Sequence, residues 1–136
     1  MRSERATGAP PTVSTLRARE ALAPGGSVLD VGVGGGAASL PLGDVAELIV
    51  GVDTSPEMLA TFREAARARG IATEERVGAW PDVAPDTPMA DVVVCHHVLY
   101  NGIDLEPFVP ALDSHARRRV VIEMTAAHPL AWMADL

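Results

Sequence analysis

The feature that most constrains the fold is a glycine cluster that directly follows a short apolar run. Residues 27–31 predict a buried strand, and the chain then passes into Gly32-Val33-Gly34-Gly35-Gly36. Because glycine has no side chain and accepts positive φ, a strand that ends in glycines lets the backbone approach a ligand closely. The cluster therefore predicts a ligand-binding turn after the first strand.

An acidic residue follows the second predicted strand at the spacing of a nucleotide site. Residues 47–52 predict this strand, and Asp53 stands 21 positions after Gly32. In doubly wound sheets, a carboxylate at this point accepts charge-assisted hydrogen bonds from ribose hydroxyls. The structural alternative is a merely flexible turn, with Asp53 as the cap of the next helix. The combined spacing and context favour the ligand site.

Helical patterns alternate with strand patterns along the rest of the chain. Helices are predicted over residues 16–23, 37–45, 54–69 and 104–115, and further strands over 71–77, 90–95 and 118–124. Pro41 has to lie in or near the first turn of the second helix, because proline breaks a helix interior. This alternation predicts βαβ units around a parallel sheet, an α/β fold. Residues 1–15 are predicted to be a flexible arm.

Composition excludes several kinds of function. The formal net charge is -7, which disfavours a nucleic-acid partner because phosphate binding needs a basic face. All 11 basic residues are arginine, so no lysine chemistry is available. Cys95 is the only cysteine and cannot form an intrachain disulfide. With no signal peptide or membrane-spanning run recognised, a cytoplasmic protein without a membrane partner is expected.

Two motifs resemble those of the class I S-adenosylmethionine-dependent methyltransferases. Asp30-x-Gly32-x-Gly34-x-Gly36 is similar to their DxGxGxG motif, and residues 52–59, VDTSPEML, are similar to VDxSxxML. The resemblance covers residues 22–124 and implies a Rossmann-like three-layer sandwich with a mainly parallel sheet of order 3-2-1-4-5. The last strands of the usual sheet are expected to be missing, so residues 16–136 would form a methyltransferase domain that is incomplete at its C-terminal end. The implied activity is methyl transfer from S-adenosylmethionine to a small-molecule acceptor.

The resemblance also implies roles for individual residues. The three motif glycines would back the amino-acid part of the cofactor, Asp30 would orient its ammonium group, and Asp53 would hold the ribose hydroxyls. Thr54 and Met58 would lie near adenine. The implied set of cofactor-binding residues in the two motifs is Asp30, Gly32, Gly34, Gly36, Asp53, Thr54 and Met58.

The segment after the third strand departs from the family pattern. Many members carry an acid there that binds the adenine amino group, whereas this chain has Ala79. Adenine recognition would then depend on backbone groups, on stacking with Trp80 or on Asp82. Ala79 and Trp80 are therefore included in the expected cofactor site, with a plain core position for Trp80 as the alternative.

The carboxyl end of the fourth strand carries the candidate catalytic residues. Histidine titrates near neutral pH, so His96 or His97 is a candidate base, and Tyr100 is a candidate pocket wall or hydrogen-bond donor. Adjacent side chains on a strand point to opposite faces, so at most one histidine faces the ligand. We expect one of the pair, His96, beside the cofactor; the alternative role is a buried, hydrogen-bonded histidine. No metal site is expected, because Cys95, His96 and His115 fit no ligand spacing.

Two other functions fit part of the pattern. Gly32-x-Gly34-x-x-Ala37 followed by Asp53 also matches the dinucleotide fingerprint of NAD(P)-dependent oxidoreductases. Asp30 disfavours that class, in which the position is usually apolar. A non-catalytic cofactor-binding module is the second alternative. An open edge at the fifth strand further predicts a homodimer.

Overall fold

The computed structural model describes residues 12–96 and 105–123, and its centre is a parallel five-stranded sheet. The order is β3-β2-β1-β4-β5, and each neighbouring pair is parallel. This confirms the predicted α/β class and strand order. The strands are β1 Ser27–Val31, β2 Leu48–Asp53, β3 Ala72–Val77, β4 Ala90–His96 and β5 Ala116–Glu123.

In the described residues, three helices connect or cover these strands. They are α1 Val13–Ala21, α2 Pro56–Ala68 and α3 Leu105–His115. The N-terminus of α2 is set by Ser55, whose side chain accepts a hydrogen bond from the Met58 amide at 3.1 Å, and by a proline in the first turn. Among the described residues, no helix is long and apolar enough to cross a membrane.

The central strands are buried on both faces. Along β1, Val28 packs in the cluster beside α1 and α2, whereas Leu29 and Val31 pack in the cluster beside α3. Asp30 shares the face of Val28, because side chains alternate along a strand. The sheet therefore separates two apolar layers, as expected when helices cover both faces.

The predicted helix over residues 37–45 is wrong. This segment contains only a single 3-10 turn, Leu40–Leu42. Pro41 lacks an amide hydrogen and Gly43 is a poor helix former, so the turn does not propagate into a helix. The compact segment brings Leu40 and Leu42 into the core.

The first helix and the last strand of the described chain begin earlier than predicted. Helix α1 begins at Val13 rather than at residue 16, because the Thr12 side chain accepts a hydrogen bond from the Thr15 amide. Residues 13–15 of the predicted arm are therefore helical, while residues 1–11 lie outside the described part. Strand β5 begins at Ala116 rather than at residue 118.

Strand β5 lies at the edge of the described sheet and carries exposed arginine side chains. Within the described ranges, β5 pairs with β4 alone. Arg117, Arg118 and Arg119 are exposed, and Arg119 forms an ion pair with Glu20 of α1 at 3.1 Å. Charged side chains discourage pairing between sheet edges. The homodimer stays a prediction.

Two neighbouring glycines of the cluster provide a matched test of the turn. Gly36 has φ +95°, and an added Cβ would lie 2.8 Å from Leu40 and 3.0 Å from Phe62. We expect Gly36→Ala to lower the unfolding free energy by about 2–4 kcal/mol through backbone strain and overpacking. In Gly35→Ala the new methyl would lie 3.8 Å from Thr61, so little loss is expected. Chemical denaturation measures both variants, and equal stabilities would contradict the described turn.

Candidate functional site

The Asp53 carboxylate joins the glycine turn to the start of α2. Oδ2 accepts a hydrogen bond from the Gly34 amide at 2.9 Å, and Oδ1 accepts one from the Ser55 amide at 2.9 Å. A carboxylate has about four acceptor positions. Because Asp53 is only partly buried at the end of β2, the remaining positions can accept hydrogen bonds from a ligand's hydroxyl groups.

The glycine turn is fixed to the end of β2 by its backbone. The amides of Gly32 and Val33 both donate to the Val52 carbonyl, at 2.8 and 3.0 Å. Positive φ at Gly32, Gly34 and Gly36 lets the chain reverse there. Of these three predicted residues, Gly34 is hydrogen-bonded to Asp53, and Gly32 is tied to Val52, the residue before it.

Met58 lies over the turn. A methyl group placed on Gly34 would contact Met58 Cε at 3.6 Å, and Met58 is 39% exposed. An exposed thioether side chain beside a glycine backbone offers an adaptable apolar surface. Met58 therefore lies beside Gly34, and its place near adenine stays a prediction.

Asp30 is a buried carboxyl group next to this edge. It is 1% exposed, and within the described part of the chain Asp30 Oδ2 has no hydrogen-bond partner. Burial raises the pKa of the Asp30 carboxyl to about 7; the nearby Ser39 hydroxyl lowers it and the Asp53 charge raises it. A cationic group that reached Asp30 would favour its ionised form.

The segment after β3 also meets Asp53. The Gly78 amide donates to the Asp53 carbonyl at 2.9 Å, and the next residue, Ala79, is exposed. Thr54, which follows Asp53, is exposed as well. Ala79 and Thr54 are therefore both placed at the carboxyl edge, with no acidic side chain at the position of Ala79. Asp82 is exposed three residues later.

Trp80 does not take the role predicted for it. The indole is 8% exposed and belongs to the core cluster on the α3 side. Its Nε1 donates to the Phe108 carbonyl at 3.3 Å, and its ring meets His115 edge-on with centroids 5.0 Å apart. The expectation that Trp80 stacks on adenine is wrong, because burying the large indole against α3 removes more apolar surface from water.

The carboxyl ends of β4 and β5 bring a histidine and a glutamate together. His96 is 9% exposed, and its Nδ1 lies 3.5 Å from Glu123 Oε1. Glu123 was not among the predicted site residues, since only the parallel register, which pairs His96 with Glu123, reveals it. His97 and Tyr100 lie outside the described residues.

The Cys95 thiol at this end of the sheet is buried and unreactive. Its side chain packs in the cluster on the α3 side, opposite to the face of His96. Burial raises the pKa of the Cys95 thiol to about 12, with a further contribution from the Asp30 charge. A thiol that stays protonated is a poor nucleophile.

Comparisons with known proteins agree on the class of the chain. Residues 28–119 match the family described as a methyltransferase domain, which is more than half of the sequence. No curated protein sequence matches the chain significantly.

Solved structures share the same fold. Magnesium protoporphyrin IX methyltransferase from Synechocystis PCC 6803, solved with bound SAM, is 29% identical with a TM-score of 0.61, and the match covers 73% of this chain and 49% of that protein. Precorrin-6y C5,15-methyltransferase from Geobacter metallireducens is 18% identical, with a TM-score of 0.69 and coverages of 90% and 65%. An rRNA methylase from Streptococcus thermophilus is 13% identical, with a TM-score of 0.70 and coverages of 90% and 75%.

The family match includes β1, the glycine turn, β2 with Asp53, and β3 and β4. The chain spans between about half and three quarters of the length of these three structures. The chain therefore belongs to the methyltransferase domain family, and the S-adenosylmethionine-dependent methyltransferase expected from its two motifs is confirmed.

Proposed function

We propose that the domain transfers the methyl group of S-adenosylmethionine to a small molecule and binds this cofactor along the edge formed by Asp30, Gly34 and Asp53. The observation that carries the proposal is the Asp53 carboxylate, which is held by the Gly34 and Ser55 amides while part of it stays exposed. A carboxylate fixed in this way is pre-oriented for two neighbouring ribose hydroxyls.

The buried carboxyl group supports the same assignment at the other end of the cofactor. Asp30 Oδ2 has no hydrogen-bond partner among the described residues, which is costly unless a ligand supplies one. The ammonium group of S-adenosylmethionine is such a partner, reached directly or through water. When bound, the cofactor supplies an electrophilic methyl group, and the protein has to align an acceptor with it.

Ala79 stands after β3 where an acidic side chain would bind the adenine amino group. Adenine is therefore recognised by other groups of the proposed site. Ala79 has a small, exposed side chain, and Thr54 and Met58 near the start of α2 are exposed as well. With Trp80 in the core, the groups left for the adenine amino group are backbone carbonyls and Asp82.

We place the start of the domain at α1, since Arg119 of β5 donates a hydrogen bond to the Arg17 carbonyl of that helix at 2.9 Å.

Charge favours a small acceptor over a nucleic acid. The net charge of -7 and the acidic residues at the carboxyl edge, Asp30, Asp53 and Glu123, repel phosphate groups. Similar folds occur in proteins named for tetrapyrrole and for rRNA methylation, so the fold itself does not select the acceptor.

Methyl transfer itself provides the first test. With methyl-labelled S-adenosylmethionine, we expect label to appear in members of a panel of phenols, amines and thiols but not in ribosomal RNA. Labelled RNA with an unlabelled panel would contradict the small-molecule proposal. Tight binding of NADH instead of S-adenosylhomocysteine would favour the oxidoreductase alternative, and cofactor binding with no labelled product would favour the non-catalytic module.

Asp53→Asn tests the ribose contact. The amide keeps the shape of the side chain but removes its charge, so charge-assisted hydrogen bonds worth about 2–3 kcal/mol are lost. We expect S-adenosylhomocysteine to bind roughly 30–100-fold more weakly by calorimetry. The matched control is Asp86→Asn, an exposed acid in the turn Ala84–Asp86, which should leave the affinity unchanged. Equal affinities in the two variants would remove Asp53 from the site.

Asp30 should make cofactor binding depend on pH. The ligand ammonium favours the ionised carboxylate, and the pKa of Asp30 in the free protein is about 7. Below this pH, binding has to release a proton, so the affinity for S-adenosylhomocysteine should fall by up to about tenfold per pH unit. Asp30→Asn should abolish this slope in calorimetric titrations between pH 5 and 8. A slope that persists in Asp30→Asn would assign it to another group.

The same group should control the stability of the free protein. A folded-state pKa above the ordinary value of 3.8 gives a contribution that is full below about pH 4 and is lost as the pH rises through about 7. We therefore expect the unfolding free energy to decrease over this interval, and Asp30→Asn to be more stable than the wild type at pH 8. Denaturant titrations at several pH values measure this. A wild-type stability that rises throughout the interval would contradict the buried, unpaired carboxyl.

A further inference from the structure

The pair formed by His96 and Glu123 lies where two parallel strands end side by side. The two residues are register partners in β4 and β5, and His96 Nδ1 lies 3.5 Å from Glu123 Oε1. The histidine ring is nearly buried, whereas the glutamate side chain is 31% exposed. A carboxylate at Nδ1 fixes the orientation and the tautomer of an imidazole ring.

The pair shares an edge and a face of the sheet with the cofactor residues. Cys95 is the register partner of Val31, so His96 is level with Gly32, the first residue of the turn. Alternation places His96 and Glu123 on the face of Val94 and Val121. Asp30 lies on this face of the neighbouring strand β1. Neighbouring strands are about 4.8 Å apart, so His96 lies one strand away from the proposed position of the ammonium group.

We propose that Glu123 positions His96 as the proton acceptor for a hydroxyl-bearing methyl acceptor, of which a phenol is the simplest type. The proposal rests on the proposed function, because it needs S-adenosylmethionine in the adjacent crevice. A weakly acidic hydroxyl is a poor nucleophile until it loses its proton, so this acceptor class benefits from a base. Glu123 is a positioning residue, since it acts through His96.

Methyl transfer to the acceptor oxygen replaces a carbon–sulfur bond with a carbon–oxygen bond. A lone pair of the acceptor oxygen forms the new bond to the methyl carbon, and the carbon–sulfur bond breaks with its electron pair remaining on sulfur. The sulfonium becomes a neutral thioether, and the acceptor oxygen carries the methyl group in place of its proton. The proton passes to His96 Nε2, because Nδ1 faces Glu123, and the Glu123 carboxylate balances the imidazolium charge.

Among the described residues, the acidic side chains on the strands next to β4 act on His96 in the same direction. Asp30 on β1 and Glu123 on β5 are the acidic residues on its face of the neighbouring strands, and a negative charge on either favours a protonated imidazole. Asp53 on β2 lies one strand further away. Cys95 points to the opposite face. Among the described residues of these strands, no basic side chain is level with His96.

Proton NMR of the histidine rings tests the coupling in the free protein. We expect Glu123→Gln to lower the titration midpoint of His96 by roughly one pH unit, because a nearby anion is lost, and Glu123→Asp to restore part of it. Glu47→Gln, at an exposed acid before β2, is the control and should leave the midpoint unchanged. An unchanged midpoint in Glu123→Gln would overturn the positioning role.

Ligand and product measurements test the location and the acceptor class. S-adenosylhomocysteine should shift the His96 ring signal but not that of His115; binding without a His96 shift would overturn the location. With labelled S-adenosylmethionine, phenols should be methylated and His96→Gln should lower that rate by about 100-fold or more. Methylation of thiols or amines alone would overturn the hydroxyl assignment. Absence of any cofactor binding by calorimetry would reject the proposed function, whereas the titration of the free protein tests the pair independently.

Discussion

The Asp53 carboxylate is the interaction on which the geometry of the carboxyl edge depends. Its two oxygens hold the Gly34 amide of the glycine turn and the Ser55 amide at the start of α2, and its carbonyl accepts the Gly78 amide after β3. Three chain segments that are remote in sequence are thus fixed relative to one residue. This is possible because β1, β2 and β3 are parallel neighbours, so their carboxyl ends meet at one edge. The carboxylate shapes the crevice before any ligand reaches it.

Asp30 and Asp53 are neighbours with opposite environments. Asp53 is partly exposed and hydrogen-bonded, whereas Asp30 is buried with one oxygen unpaired among the described residues. A buried carboxyl without a partner destabilises a free domain and is better explained by a ligand than by stability. In the proposed cofactor site, Asp53 thus forms a preformed hydroxyl-binding end, and Asp30 forms a cation-binding end that is completed on binding.

The sequence was sufficient to predict the sheet, because periodicity and glycine position are local signals. The five strands and helix α2 followed from these signals, whereas the strand order followed from the family resemblance of the two motifs. The errors arose where tertiary packing decides. Trp80 looked like a stacking residue in its loop, but α3 covers it, and Glu123 became visible only through the β4–β5 register. The helix over 37–45 failed because the effect of Pro41 and Gly43 outweighed an otherwise apolar pattern.

The order of the strands separates two tasks around β1. Residues of β1 and β2, with the turn between them, provide the contacts proposed for the cofactor, whereas β4 and β5 provide His96 and Glu123 on the other side. Since β1 lies between β2 and β4, a ligand anchored at Asp53 and Asp30 extends toward His96 rather than away from it. An acceptor that reacts at the end of this ligand then approaches from the β4–β5 side. In the proposed arrangement, the acidic residues on one sheet face serve different purposes: hydroxyl binding at Asp53, cation binding at Asp30, and orientation of a base at Glu123.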